Sequence, residues 1–140
     1  MAAQYDLNGF LKAQAGDYAT ALAEIKAGRK RSHWMWYIFP QIAGLGHSDM
    51  AKHYAIQNLS EAEAYLHHPT LGPRLIEISK ALLDLPGSNA TAILGTPDDM
   101  KLHSSMTLFS LLKNTDPVFQ RVLDKFFNGE KDEQTVRRVG

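Results

Sequence analysis

Leu71, Leu75, Ile78, Leu82 and Leu85 recur at intervals of 4, 3, 4 and 3 residues, and the pattern stops at Pro86-Gly87. An α-helix turns that spacing into one continuous apolar face, because positions three and four apart stack on the same side. A strand would scatter the same side chains over both of its faces. The segment is therefore a helix with one side committed to a core, and the rest of the chain must supply partners for that side.

Similar signals recur along the chain. Asp6 is placed to cap a helix bearing Leu7, Phe10 and Leu11. Asp17 is placed to open a second one, with Tyr18, Leu22 and Ile25 on one face and Gly28 at its left-handed end. Ser60-Glu61-Ala62-Glu63 reads as a capping box. Thr96-Pro97-Asp98-Asp99 starts a helix carrying Leu102, Met106, Phe109 and Leu112, with two acids facing the positive end of the dipole. Asp116-Pro117 repeats that start for Phe119, Val122, Leu123 and Phe126, and Asn128-Gly129 ends it. Period-two alternation of β-branched residues is nearly absent. The expectation is an all-α fold: a single compact multi-helix domain over residues 1–140.

Composition excludes several function classes. Lys+Arg and Asp+Glu each total 15, so the basic excess that usually neutralises phosphates is missing and nucleic acid is not an expected partner. With no cysteine, disulfides, thiolate metal sites and a Cys nucleophile are impossible. The first residues, Met1 to Asp6, lack the basic and apolar regions of a secretory signal. The longest apolar run, Trp34 to Phe39, is far short of the roughly 20 residues a bilayer requires. No membrane association and a cytoplasmic location are expected.

His33-Trp34-Met35-Trp36-Tyr37-Ile38-Phe39-Pro40-Gln41 is the most unusual stretch. As a helix it is apolar nearly all round, which marks a buried central element, and Pro40 ends it by pushing Phe39 out of the α region. Most of its rings are expected in the core. The functional alternative is that Trp34 or Trp36, with His33 and Gln41 at the edges, lines a cavity and stacks a flat ligand. Gly44-Leu45-Gly46-His47-Ser48-Asp49 follows, two glycines before the N-cap Ser48. A tight turn is the favoured reading over an anion site, because the Lys of a phosphate loop and the third Gly of a dinucleotide fingerprint are both absent.

Lys101, Ser104 and Ser105 sit three and four apart in the first turns of the helix after Pro97. Two adjacent serines inside a helix need a reason. Either they permit close helix packing, or their hydroxyls and the Lys form a site for a phosphate or sugar hydroxyl. The six histidines show no metal-ligand spacing, so no metal and no cofactor are expected. Lys26, Arg29, Lys30 and Arg31 form a basic cluster suited to a helix end.

The residues also carry a family resemblance. Lys30-x-Ser32 through Gln41 and Gly44-Leu45-Gly46-x-Ser48 resemble the signature of the bacterial family called domain of unknown function 1810. Tyr54-Ala55-Ile56, Glu61-Ala62 and Tyr65-Leu66-x-His68-Pro69-x-Leu71-Gly72-Pro73-Arg74-Leu75 match its middle. Asp98-Asp99-x-Lys101-Leu102-x-Ser104-Ser105 through Phe109 resembles its third block, and Phe126-Phe127-x-Gly129 its end. The resemblance implies an all-α bacterial cytoplasmic protein and no particular activity. The label calpastatin, often attached to that family, describes disordered inhibitors and does not suit this packed composition. A fainter similarity, in helical order and size only, is to a family of N-glycosidases of NAD and ADP-ribose metabolism.

Two functional expectations follow. The first is a pocket for a small anionic ligand, nucleotide- or ADP-ribose-like, either a binding site alone or a hydrolase. In it Trp34, Trp36, Gln41, Lys101, Ser104 and Ser105 bind, and His33 and His47 are the candidate acid or base. The second is a non-enzymatic module that docks a protein partner through an exposed aromatic face or the basic cluster.

Overall fold

The computed structural model describes residues 5–139, so part of the stretch read for a targeting signal, residues 1–4, lies outside it. Among the described residues the chain forms nine helices and no strand: α1 (Asn8–Lys26), α2 (Met35–Ile38), α3 (Asp49–His53), α4 (Leu59–His67), α5 (Leu71–Leu83), α6 (Ala90–Leu94), α7 (Asp98–Ser110), α8 (Val118–Phe127) and α9 (Glu133–Val139). The expected all-α class holds. None of these helices is long and apolar enough to cross a membrane.

The leucine stripe lies on α5, where Leu71, Leu75, Ile78 and Leu82 are fully buried. Around it α5 packs on α1, α4 and α8, while α7 packs on α8, α6, α4 and α9. Phe109 links two sides of this core, with Tyr65 at 5.5 Å and Phe119 at 5.6 Å between ring centroids. Such tilted aromatic pairs each add about 0.5–1.5 kcal/mol beyond the area they bury.

Two expected helix boundaries shift. The two amino-terminal helices are one, because α1 runs unbroken through Gly16-Asp17. Asp17 opens nothing; its carboxylate accepts a hydrogen bond from the Tyr37 hydroxyl. The start of α4 lies earlier than the expected box: Asn58 accepts from Glu61 N at 2.9 Å, and Glu61 accepts from Gln57 N at 2.8 Å. The pair is a variant of the capping box, moved two residues toward the amino terminus, with Glu61 reaching the N–H just before the cap residue. At the other end of α1, Arg29 N reaches Glu24 O at 3.1 Å and Gly28 N reaches Ile25 O at 2.9 Å, a Schellman closure made possible by Gly28 at φ +83°.

Gly72 sits where α4 and α5 meet, and a Cβ there would run into the Leu66 carbonyl. Gly16, by contrast, has open space where a Cβ would stand. Gly72→Ala is therefore expected to destabilise the protein by about 1–3 kcal/mol through overpacking. Gly16→Ala should stabilise it by about 0.5–1 kcal/mol by removing backbone freedom from the unfolded chain. Urea midpoints of the two variants check both signs.

Candidate functional site

The path of the chain into the site begins at Glu24 on α1. Its carboxylate accepts from Arg31 N (2.7 Å), Ser32 N (2.9 Å), Ser32 Oγ (2.6 Å) and Trp34 Nε1 (3.0 Å). These bonds hold the turn after α1 and let Trp34 bury with only 1% of its surface exposed. Burial alone would raise the Glu24 pKa. The donors from Ser32, Arg31 and Trp34 outweigh it and bring the carboxyl down to about 2.

From Trp34 the chain makes a single helical turn, α2, and buries Met35, Tyr37 and Ile38. Phe39 leaves the helix at φ −124°, ψ 75°, as Pro40 requires. The Tyr37 hydroxyl sits between the Asp17 carboxylate and the His33 carbonyl, and burial followed by that carboxylate pushes its pKa up. Trp36 alone of this group reaches outward, and it is partly buried. The following loop is fastened by one parallel bridge: Ile56 N donates to Gln41 O and Ala43 N to Ile56 O, both at 2.8 Å.

A cleft of about 580 Å³ opens at this point. One wall is Trp36, Gln41 and the Leu45–Ser48 loop with Ala51. The second is Pro97, Met100, Lys101 and Ser104, at the start of α7. The third is Asp132 and Gln134, at the start of α9. The glycines of the loop serve close packing. A Cβ on Gly46 would stand 2.5 Å from that of Ala51, and one on Gly44 2.5 Å from the Arg138 guanidinium. Ser48 is occupied as the cap of the five-residue α3, accepting from Ala51 N at 3.1 Å, in keeping with a turn.

The structure brings Trp36, Gln41, His47, Lys101 and Ser104 to this one cleft. Three of the candidates lie elsewhere. Trp34 is enclosed in the core, so its ring is not available to stack a ligand. His33 is exposed but outside the cleft lining. Ser105 is fully buried, and its Oγ has no hydrogen-bond partner among the described residues. Lys101 and Ser104 are three residues apart and share a side; Ser105 is turned about 100° from Ser104 around the helix and faces the core. Asp132 and Gln134 were missed. An available signal was Asp132-x-x-Thr135, an N-cap spacing just before the last helix.

Two lysines meet at one carboxylate beside the cleft. Lys30 Nζ lies 2.8 Å from Asp98 Oδ2, and Lys101 Nζ lies 3.2 Å from Asp98 Oδ1. Each ammonium also covers an indole: Lys30 stands 5.1 Å from the Trp34 centroid and Lys101 4.5 Å from that of Trp36. Lys101 is the cation that lines the cleft, and its carboxylate partner is shared with Lys30 outside the lining. Lys30 is thereby withdrawn from the basic cluster, which with the burial of Trp34 weakens the case for a protein-docking face.

The fold and cleft define a small all-α protein with a mixed polar and aromatic recess. The chain belongs to the family described as protein of unknown function DUF1810, whose model matches residues 4–139. It is also similar to the conserved hypothetical protein Rv1873 from Mycobacterium tuberculosis. That crystal structure shares 45% sequence identity and a TM-score of 0.94, with 96% of each chain covered. No curated protein matches the chain.

Asp98→Asn is expected to cost about 1–3 kcal/mol in urea unfolding, because it strands Lys30, whose side chain is 9% exposed. Lys30→Met should cost less, since Asp98 keeps Lys101. A second expectation concerns acid. Glu24 has a lowered folded pKa, so its contribution is complete above about pH 4.3, the ordinary Glu value, and is lost as pH falls toward about 2. Glu24→Gln should be less stable than the parent at pH 7, and the gap should close as pH falls from 5 to 2. Denaturant midpoints measured across that range check the sign.

Proposed function

We propose that the cleft binds a small anionic ligand that carries a flat or ring-shaped portion, of the nucleotide or ADP-ribose kind. The observation that carries this reading is Lys101, whose counter-ion Asp98 is shared with Lys30, on the wall of a recess that also holds Trp36, Gln41 and His47. The volume, about 580 Å³, falls in the range of about 300–1,000 Å³ usual for small-molecule pockets. Lys101 can turn one hydrogen toward an anion while it keeps Asp98, since an ammonium has three donors. That same ammonium covers one face of the Trp36 indole, so a ligand ring would use the face or edge that Lys101 leaves open.

In the catalytic form of this reading the ligand is hydrolysed, and His47, exposed on the cleft rim, is the acid–base group. His33, outside the lining, would have no part in it.

A thermal-shift screen against nucleotides, ADP-ribose and sugar phosphates tests the proposal. A ligand held by the native state at a hundredfold excess over its Kd adds about 2.7 kcal/mol, which is several degrees of Tm for a chain of this size. Lys101→Ala should abolish the shift and Trp36→Leu should reduce it. No shift from any of these compounds at millimolar concentration would sink the proposal.

A further inference from the structure

The α9 wall of the cleft is chemically unlike the Lys101 wall. Asp132 uses one oxygen as a cap: Oδ2 accepts from Thr135 N at 3.2 Å and Thr135 Oγ1 at 2.6 Å, and lies 3.1 Å from Ser104 Oγ. Its own N–H donates to Thr107 Oγ1 at 2.9 Å. The residue is thus fixed at both backbone and side chain, while Oδ1 makes no hydrogen bond among the described residues. Gln134, exposed two residues on, adds an amide to the same wall.

A carboxylate oxygen only accepts hydrogen bonds, so a ligand group facing Oδ1 must be a donor. A bare anion there would meet like charge. Ser104, three residues from Lys101 on α7, contacts Asp132 and so ties the two walls together. The cleft therefore has an anion-seeking end at Lys101 and a donor-seeking end at Asp132, both on its lining.

Resting on the anion-site reading above, we infer that the ligand is a phosphate ester of a sugar, its phosphate at Lys101 and its neighbouring hydroxyls at Asp132 and Gln134. A free sugar phosphate and the terminal ribose of a nucleotide-linked sugar share this chemistry. Inorganic anions and phosphopeptides lack the paired hydroxyls that the Asp132 wall would receive. The apolar body of the ring lies against Trp36 and Leu45.

Calorimetric titration of the full chain with ribose 5-phosphate, ADP-ribose, 2-deoxyribose 5-phosphate and inorganic pyrophosphate tests this. Ribose 5-phosphate is expected to bind about tenfold or more tightly than its 2-deoxy form, the effect of one hydrogen bond to a charged acceptor. Tighter binding of ADP-ribose than of ribose 5-phosphate would assign the linked form, and the reverse the free sugar phosphate; both support the inference. Asp132→Asn caps a helix as well as Asp does but removes the negative charge and replaces one acceptor oxygen with a donor. It should bring the ribose-to-deoxyribose ratio close to one while pyrophosphate binding is kept or strengthened. Gln134→Ala, at an exposed position, should lower the same ratio without touching the cap. Equal binding of the ribose and deoxyribose forms by the parent protein would overturn hydroxyl recognition and leave the anion site standing. No binding of any of the four, pyrophosphate included, would overturn both.

Discussion

The arrangement of the molecule around its cleft depends on one carboxylate. Glu24 receives four hydrogen bonds from Arg31, Ser32 and Trp34, all within 3.0 Å. Without them the Ser32 N–H and the Trp34 indole N–H would stand in a half-buried corner with no acceptor, and each such group costs about 1–3 kcal/mol when left unpaired. With them, the backbone turns inward at Trp34. The single turn Met35–Ile38 can then thread the core and still deliver Trp36 to the surface. The aromatic segment is in this sense a core element whose one outward ring is aimed by a hydrogen-bond cluster two residues upstream.

The second dependency is electrostatic and couples the same segment to α7. Asp98 holds Lys30, which covers Trp34, and Lys101, which covers Trp36. The cleft and the core therefore share a carboxylate. Lys30 N also donates to Ile93 O at 2.7 Å, which ties the basic turn to α6 just ahead of α7. Exposed ion pairs contribute little to stability, but this one is largely screened from water on the Lys30 side. Its principal effect is positional: it sets where the cation of the cleft stands relative to the indole.

Helix identity was legible in the chain because it rests on local spacing. The stripe of α5, the starts at Asp98 and Asp116, and the left-handed ends at Gly28 and Asn128 all depend on neighbours within a turn. Boundaries moved where tertiary partners overrode local preference. Asp17 looks like a helix start, yet it sits mid-helix because the Tyr37 hydroxyl, twenty residues away, uses its carboxylate. The candidate site was partly legible. Trp36, Gln41, His47, Lys101 and Ser104 drew notice as polar or aromatic residues at the edges of apolar blocks, and they do share a recess. Which of two tryptophans faces outward could not be read, because Trp34 and Trp36 differ only in what lies across from them. The role of Asp132 was hidden for a related reason: its partners, Ser104 and Thr107, are some 25 residues earlier in the chain.

The paired serines show how the two readings of one motif divide. Ser104 serves both packing and the cleft, since its hydroxyl meets Asp132 while its small size lets α9 lie against α7. Ser105 serves packing alone, at the cost of one buried hydroxyl without a partner. A larger apolar residue at Ser105 would satisfy the core but crowd it; a larger residue at Ser104 would push away the Asp132 wall on which the donor-seeking end of the cleft depends. The constraint on Ser104 is therefore the stricter one, because it combines size with a hydroxyl that meets Asp132. A single small polar side chain on α7 in this way anchors the carboxylate wall of the cleft to the helix that carries its cation.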